Sequence, residues 1–129
     1  MQSEEKKLWD TFSKYIRLRN ADENGYVTCV TCDRRFYWKE VHAGHFMSRR
    51  HKNTKFNEKN NQVQCISCNA YNGGEQFKYG LFLDREYGEG IAEELMMLSR
   101  ISCKLSDVDF KEMNKEYKVK VKQLLKTLQ

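Results

Sequence analysis

Two Cys-x-x-Cys pairs, Cys29-Val30-Thr31-Cys32 and Cys65-Ile66-Ser67-Cys68, bracket His45, and Asn69 follows the second pair directly. A two-residue gap lets one turn present two thiolates to one metal, and tetrahedral zinc takes four such ligands. The pairs therefore read as a structural zinc staple. A redox pair or two disulfides are the competing readings. A redox Cys-x-x-Cys belongs in a thioredoxin-like pattern, which the surrounding residues lack. Five cysteines, an odd number, fit poorly with a pure disulfide framework. Cys103 stands outside the pattern and reads as a buried or idle thiol. The 32 residues between Cys32 and Cys65 exceed the usual loop of a zinc ribbon, so something is inserted inside the staple.

That insertion carries the remaining chemistry. A lone histidine in an extended segment is ordinarily structural. Three features argue for more at His45. It lies between the two halves of a metal knuckle. Asn60 sits five residues before Cys65, and Asn69 sits directly after Cys68. The intervening loop is rich in Arg and Lys. The chain carries +5 overall, yet Arg34, Arg35, Lys39, Arg49, Arg50, Lys52, Lys55 and Lys59, opposed only by Glu40 and Glu58, give residues 34–59 a charge of +6. All the excess positive charge thus surrounds the candidate site, which points to nucleic-acid phosphates as the partner.

These residues need positioning elements. Residues 4–20 read as a helix, with Leu8, Phe12, Tyr15, Ile16 and Arg19 at three- and four-residue steps and Ser3 as N-cap. Asn24-Gly25 closes a turn. Tyr26-Val27-Thr28 and Arg35-Phe36-Tyr37-Trp38 read as the arms of a hairpin with the first Cys pair at its tip. Residues 41–46 look extended and carry His42 and His45, and residues 47–60 read as an irregular loop. A helix is expected from Asn69, interrupted at Gly73-Gly74 and resumed over Glu75 to Tyr87 with Phe77, Leu81 and Asp84 on related faces. Ile91 to Ile101 reads as a further helix with Leu95 and Leu98 inward. Ser106-Asp107-Val108-Asp109 resembles a capping box. Behind it Phe110, Met113, Tyr117, Val121, Leu124 and Leu128 form an amphipathic stripe. The stripe serves either the domain's own core or a homodimer seam.

The site residues resemble the HNH, or His-Me finger (ββα-metal), nucleases, in the zinc-stapled branch typified by endonuclease VII. Cys65-Ile66-Ser67-Cys68-Asn69 carries the second half of that pattern. From Leu8 to about Val121 the chain is similar to the phage NinG (Rap) recombination proteins. That likeness rests on Tyr15-Ile16-Arg17-Leu18-Arg19, Ala43-Gly44-His45-Phe46 with Ser48-Arg49-Arg50-His51, Cys65 to Asn69, Tyr79-Gly80-Leu81 and Arg85-Glu86-Tyr87-Gly88.

The resemblance implies an α+β fold in one domain over 1–129. A zinc-stapled ββα-metal core would span about 26–87, with helical flanks over 4–20 and 90–128. It implies an endonuclease cutting branched recombination intermediates such as Holliday junctions. His45 would be the general base, its ordinary pKa near neutrality suiting proton removal from water. Asn69 would be an oxygen ligand of Mg²⁺ or Mn²⁺, and Asn60 would brace the loop opposite the His strand. One departure stands out: the family pattern has an Asp ligand where this chain has Gly44. Residues 42 and 44 share a strand face, so His42 is the expected replacement ligand, with Glu75 the other candidate; imidazole would favour Mn²⁺. Arg49, Arg50, His51, Lys52, Arg34 and Arg35 are the expected DNA contacts. A non-catalytic zinc module that binds nucleic acid is the alternative. The N-terminal residues Met1 to Lys7 lack the apolar run of a signal peptide and no segment has the length to span a membrane, so a cytoplasmic protein is expected.

Overall fold

The computed structural model describes residues 2–128; Met1 and Gln129, the ends of the expected domain, lie outside the described residues. The chain runs α1 (Glu4–Leu18), β1 (Tyr26–Thr28), β2 (Arg35–Tyr37), a 3₁₀ turn (Trp38–Glu40), β3 (Val41–His45), α2 (Lys52–Lys55), β4 (Asn61–Cys65), a π-helical turn (Ser67–Tyr71), α3 (Gln76–Tyr87), α4 (Ile91–Ser99) and α5 (Asp107–Lys126). This is an α+β architecture with two separate antiparallel strand pairs, β1 with β2 and β3 with β4.

The flanking helices form for the reasons their sequences give. The Ser3 side chain accepts from the Lys6 amide and caps α1. Ser106 and Asp109 form a reciprocal capping box at α5. Leu8, Phe12 and Ile16 of α1 are fully buried, and Phe110 and Tyr117 of α5 close over them. Phe12 and Tyr117 meet edge to face at 5.0 Å. Further along, Val121, Leu124 and Leu128 pack with Leu18, Val27 and Trp38. The α5 stripe packs on α1 and the strands, the first of the two uses its spacing allowed. Glu58 locks the arrangement, accepting from the hydroxyls of Tyr15 (3.0 Å) and Tyr117 (2.8 Å).

The other face of α1 covers the β3–β4 pair. Arg19 donates to the carbonyls of Glu58 (2.9 Å) and Asn61 (2.7 Å), tying the end of α1 to the start of β4. Tyr79 of α3 donates its buried hydroxyl to the Gly44 carbonyl (2.6 Å), holding α3 across the pair. The Val30 amide donates to the Val63 carbonyl (3.0 Å), docking the β1–β2 knuckle onto β4.

Two sequence expectations change, and one strand goes unread. The loop over 47–60 contains the single turn α2, too short to leave a periodic signal. The segment 61–65 is a strand, buried throughout despite its amides. On α3 the inward face is Tyr79 and Leu83, whereas Phe77 and Leu81 face solvent. Leu95 is buried on α4, as its periodicity predicts.

Candidate functional site

The four Sγ atoms of Cys29, Cys32, Cys65 and Cys68 lie within 4.8 Å of one another. Cys32 and Cys65 Sγ are 3.8 Å apart, close to the edge of a tetrahedron built on zinc–sulfur bonds of about 2.3 Å. No cysteine is in a disulfide. The donor set thus fits zinc, and the four residues could hold one ion. Burial pushes the Cys68 thiol up to about 12. Cys32 also feels desolvation, but hydrogen bonds from the Arg34 side chain and backbone and from neighbouring thiols bring it down to about 6. Arg34 Nε lies 3.4 Å from Cys32 Sγ and its Nη2 3.8 Å from Cys65 Sγ. Arg34 is thereby engaged with the sulfurs, and Arg35 pairs with Asp22 at 2.6 Å. Both guanidiniums expected on DNA already have protein partners.

The strand register decides what faces what. His42 pairs with Gln64 and Gly44 with Gln62. Ala43 packs into the α1 core, and His45 stacks on Trp9 of α1 with ring centroids 4.7 Å apart and planes at 21°. His42 and Gly44 turn the other way. There His42 Nδ1 meets the Asn69 side-chain amide nitrogen at 2.9 Å. Which amide atom faces the ring follows from the imidazole tautomer; in either orientation the two side chains hydrogen-bond to each other.

Gly44 is dictated by its neighbour. A Cβ here would stand 2.0 Å from Gln64 Oε1 and 2.8 Å from its Cδ. Gln64 is fully buried, donates to Thr31 Oγ1 (3.2 Å) and the Gly74 carbonyl (2.8 Å), and leaves Oε1 without a partner. The amide of Gln64 thus fills the space a residue-44 side chain would need. Sequence reasoning missed Gln64 because nothing marks a buried glutamine in an unrecognised strand.

Asn60 is fully buried. Its Oδ1 accepts from the Met47 amide (2.8 Å), and its Nδ2 donates to the carbonyls of Met47 (3.0 Å) and Thr54 (3.1 Å). One side chain therefore fixes both ends of the basic loop. His45, Met47, Ser48, His51, Asn69 and Gly74 border an open cleft between that loop and the π-helical turn. Desolvation dominates at His45 and, with the Lys55 and Arg49 cations nearby, holds it down at about 4 although the Lys55 carbonyl opposes this. Its Nε2 is buried without a partner. The sequence expectation of a near-neutral pKa does not hold; the imidazole is uncharged throughout the physiological range.

Arg49 and Arg50 are exposed and make no ion pair among the described residues. Lys52 and Lys55 both pair with Glu5 of α1, at 2.5 and 2.6 Å. Glu75, the alternative ligand, ion-pairs with Lys78 at 3.3 Å. Among the described residues, the four cysteines are the one cluster of three or more Cys, His, Asp or Glu able to share a metal.

These features define an α+β protein with a four-cysteine centre able to hold zinc. Residues 2–127 match the family described as Bacteriophage Lambda NinG protein, and the chain belongs to that family. No curated protein and no solved structure matches it. No helix among the described residues is long and apolar enough to cross a membrane.

Proposed function

We propose that this protein is a metal-dependent, structure-specific DNA endonuclease of the HNH type, with β3, β4 and the following helical turn as a ββα-metal core, acting on branched recombination intermediates such as Holliday junctions. The observation that carries the reading is the meeting of His42 and Asn69 at 2.9 Å beside a cleft bordered by His45 and His51. An imidazole nitrogen and an amide oxygen suit a divalent ion whose other positions go to water and phosphate oxygens, with Mn²⁺ favoured over Mg²⁺ because no carboxylate joins them. Such an ion would stabilise charge on the phosphate and on the leaving oxygen.

The chain's own residues would do the rest. A water oxygen attacks phosphorus, the P–O3′ bond breaks, and His45 accepts the water proton. A neutral imidazole is in the protonation state a base requires. Asn60 keeps the loop rigid behind it, while Arg49 and Arg50 grip the phosphate backbone with planar forks. His45→Ala should abolish cleavage of a labelled four-way junction in Mg²⁺ or Mn²⁺ and leave DNA binding intact. Retained cleavage would remove His45 from the mechanism.

The burial of His45 Nε2 under Trp9 favours a second reading, a zinc-stabilised module that binds nucleic acid without cutting it. That module would bind with steep salt dependence and never nick in any divalent ion. The preference for branched DNA and the phage-recombination setting rest on the family resemblance.

A further inference from the structure

Two aromatic side chains are left largely in solvent, and both neighbour in sequence residues that border the cleft, Tyr71 two residues after Asn69 and Phe77 directly after Gln76. Tyr71 is 81 % exposed and Phe77 79 %, whereas no other aromatic residue exceeds 46 %. Among the described residues neither ring has a stacking, cation–π or hydrogen-bonding partner. Tyr71 closes the π-helical turn that begins beside Cys68 and carries Asn69, and Phe77 opens α3. Between them Gly73, Gly74 and Glu75 run at φ of +62°, +84° and +50°. Glu75 has no glycine freedom there, so a left-handed backbone at that position is strained. The segment is nevertheless pinned: the Gly74 amide donates to the Cys68 carbonyl at 2.9 Å, and the Gly74 carbonyl accepts from buried Gln64 at 2.8 Å. Two water-exposed rings are thus held on a rigid frame whose residues Asn69 and Gly74 border the cleft.

A flat, exposed, rigidly mounted ring beside a cationic loop suits a partner that is both planar and anionic. A nucleotide with an unstacked base has both properties, and every base offers a π-face to an aromatic ring. Arg49 and Arg50, exposed and without an ion pair among the described residues, directly follow Ser48 on the border of the cleft and supply the complementary charge. We propose that Tyr71 and Phe77 form a stacking platform for bases freed from pairing at a branch point. This rests on the reading of the cleft as a DNA site and adds a physical source for selecting branched over linear DNA, because intact duplex keeps its bases stacked internally.

The test is binding by fluorescence anisotropy in Ca²⁺, without Mg²⁺ or Mn²⁺, using a four-way junction and a linear duplex of the same sequences. The double variant Tyr71→Ser/Phe77→Ser should fold as the parent does, since neither ring packs on anything. Its junction affinity should fall about five- to 150-fold for each base stacked, with duplex affinity within about two-fold. Tyr71→Phe with Phe77→Tyr should restore junction binding. Equal loss on both substrates, or no loss on either, overturns the platform; the latter would leave the rings as a contact for another protein. A parent protein that shows this pattern but never cuts keeps the platform and loses the nuclease reading. A parent that cuts junctions while the double variant binds them normally loses the platform alone.

Discussion

At the scale of single residues, His45 couples the site to pH. Its unfolded pKa is the ordinary one near 6.5, and its folded value is about 4. Between these values the unfolded chain takes up a proton that the folded chain refuses. Stability is therefore fully present above pH 6.5 and is lost as pH falls towards 4, by an amount on the order of 2 kcal/mol. Urea midpoints measured from pH 7 to pH 4 should fall in the parent, and the part due to this site should vanish in His45→Gln. An unchanged slope in the variant would show that other groups set the acid sensitivity. Both site faces follow from residue alternation along β3, which is legible in the sequence, and His42 and Gly44 do share a face. What alternation could not say is which face looks at Asn69. That depends on α1 covering the odd-numbered side chains, with Trp9 on the His45 ring at 4.7 Å.

Among the elements, legibility tracks how each is stabilised. The helices α1 and α5 show apolar stripes because they bury apolar faces, and their caps carry Ser at the expected positions. β4 does not announce itself: Asn61-Gln62-Val63-Gln64-Cys65 is polar, yet every residue is buried. Its side-chain amide nitrogens donate to carbonyls, as when Asn61 donates to Lys55 (3.0 Å) and Asn57 (2.7 Å) and Gln62 to Lys59 (3.0 Å). A strand that exchanges hydrophobic burial for hydrogen bonds leaves no hydropathy signal. Phe77 misleads in the opposite sense, an apolar residue on the wet face of α3. The close approach of β3 to the Gln64 side chain gives a direct test. Gly44→Ala should destabilise the fold by about 1–3 kcal/mol through overpacking. Gly44→Ala/Gln64→Ala should lose less than the two single variants combined, because the clash disappears with its partner. Additive denaturation free energies would show that Gln64 moves aside at no cost.

For the molecule as a whole, the four cysteines tie together segments far apart in the chain. The knuckle formed by β1 and β2 meets β4 and the π-helical turn around the sulfurs, with Phe36 alongside, next to the apolar cluster that Val27 and Val63 share. A structural zinc supplies on the order of 10 kcal/mol of apparent folding free energy, comparable to the whole stability of a domain this size. One equivalent of zinc should be found by atomic absorption. A zinc-selective chelator should collapse the near-UV dichroism, and Cys68→Ala should fail to retain metal. A near-UV signal indifferent to the chelator would leave the sulfur cluster without a structural role. The packing of α1 on α5 has a different kind of consequence. Phe12 rests on Tyr117, so α1 finds its main partner only when the later α5 has emerged from the ribosome. Contacts between such distant segments form late. Trp9 rides on α1, and the enclosure of His45 it provides waits for that same event. The nascent chain is thus born with its cleft unfinished, and the pairing of α1 with α5 acts as a completion check on the site between them.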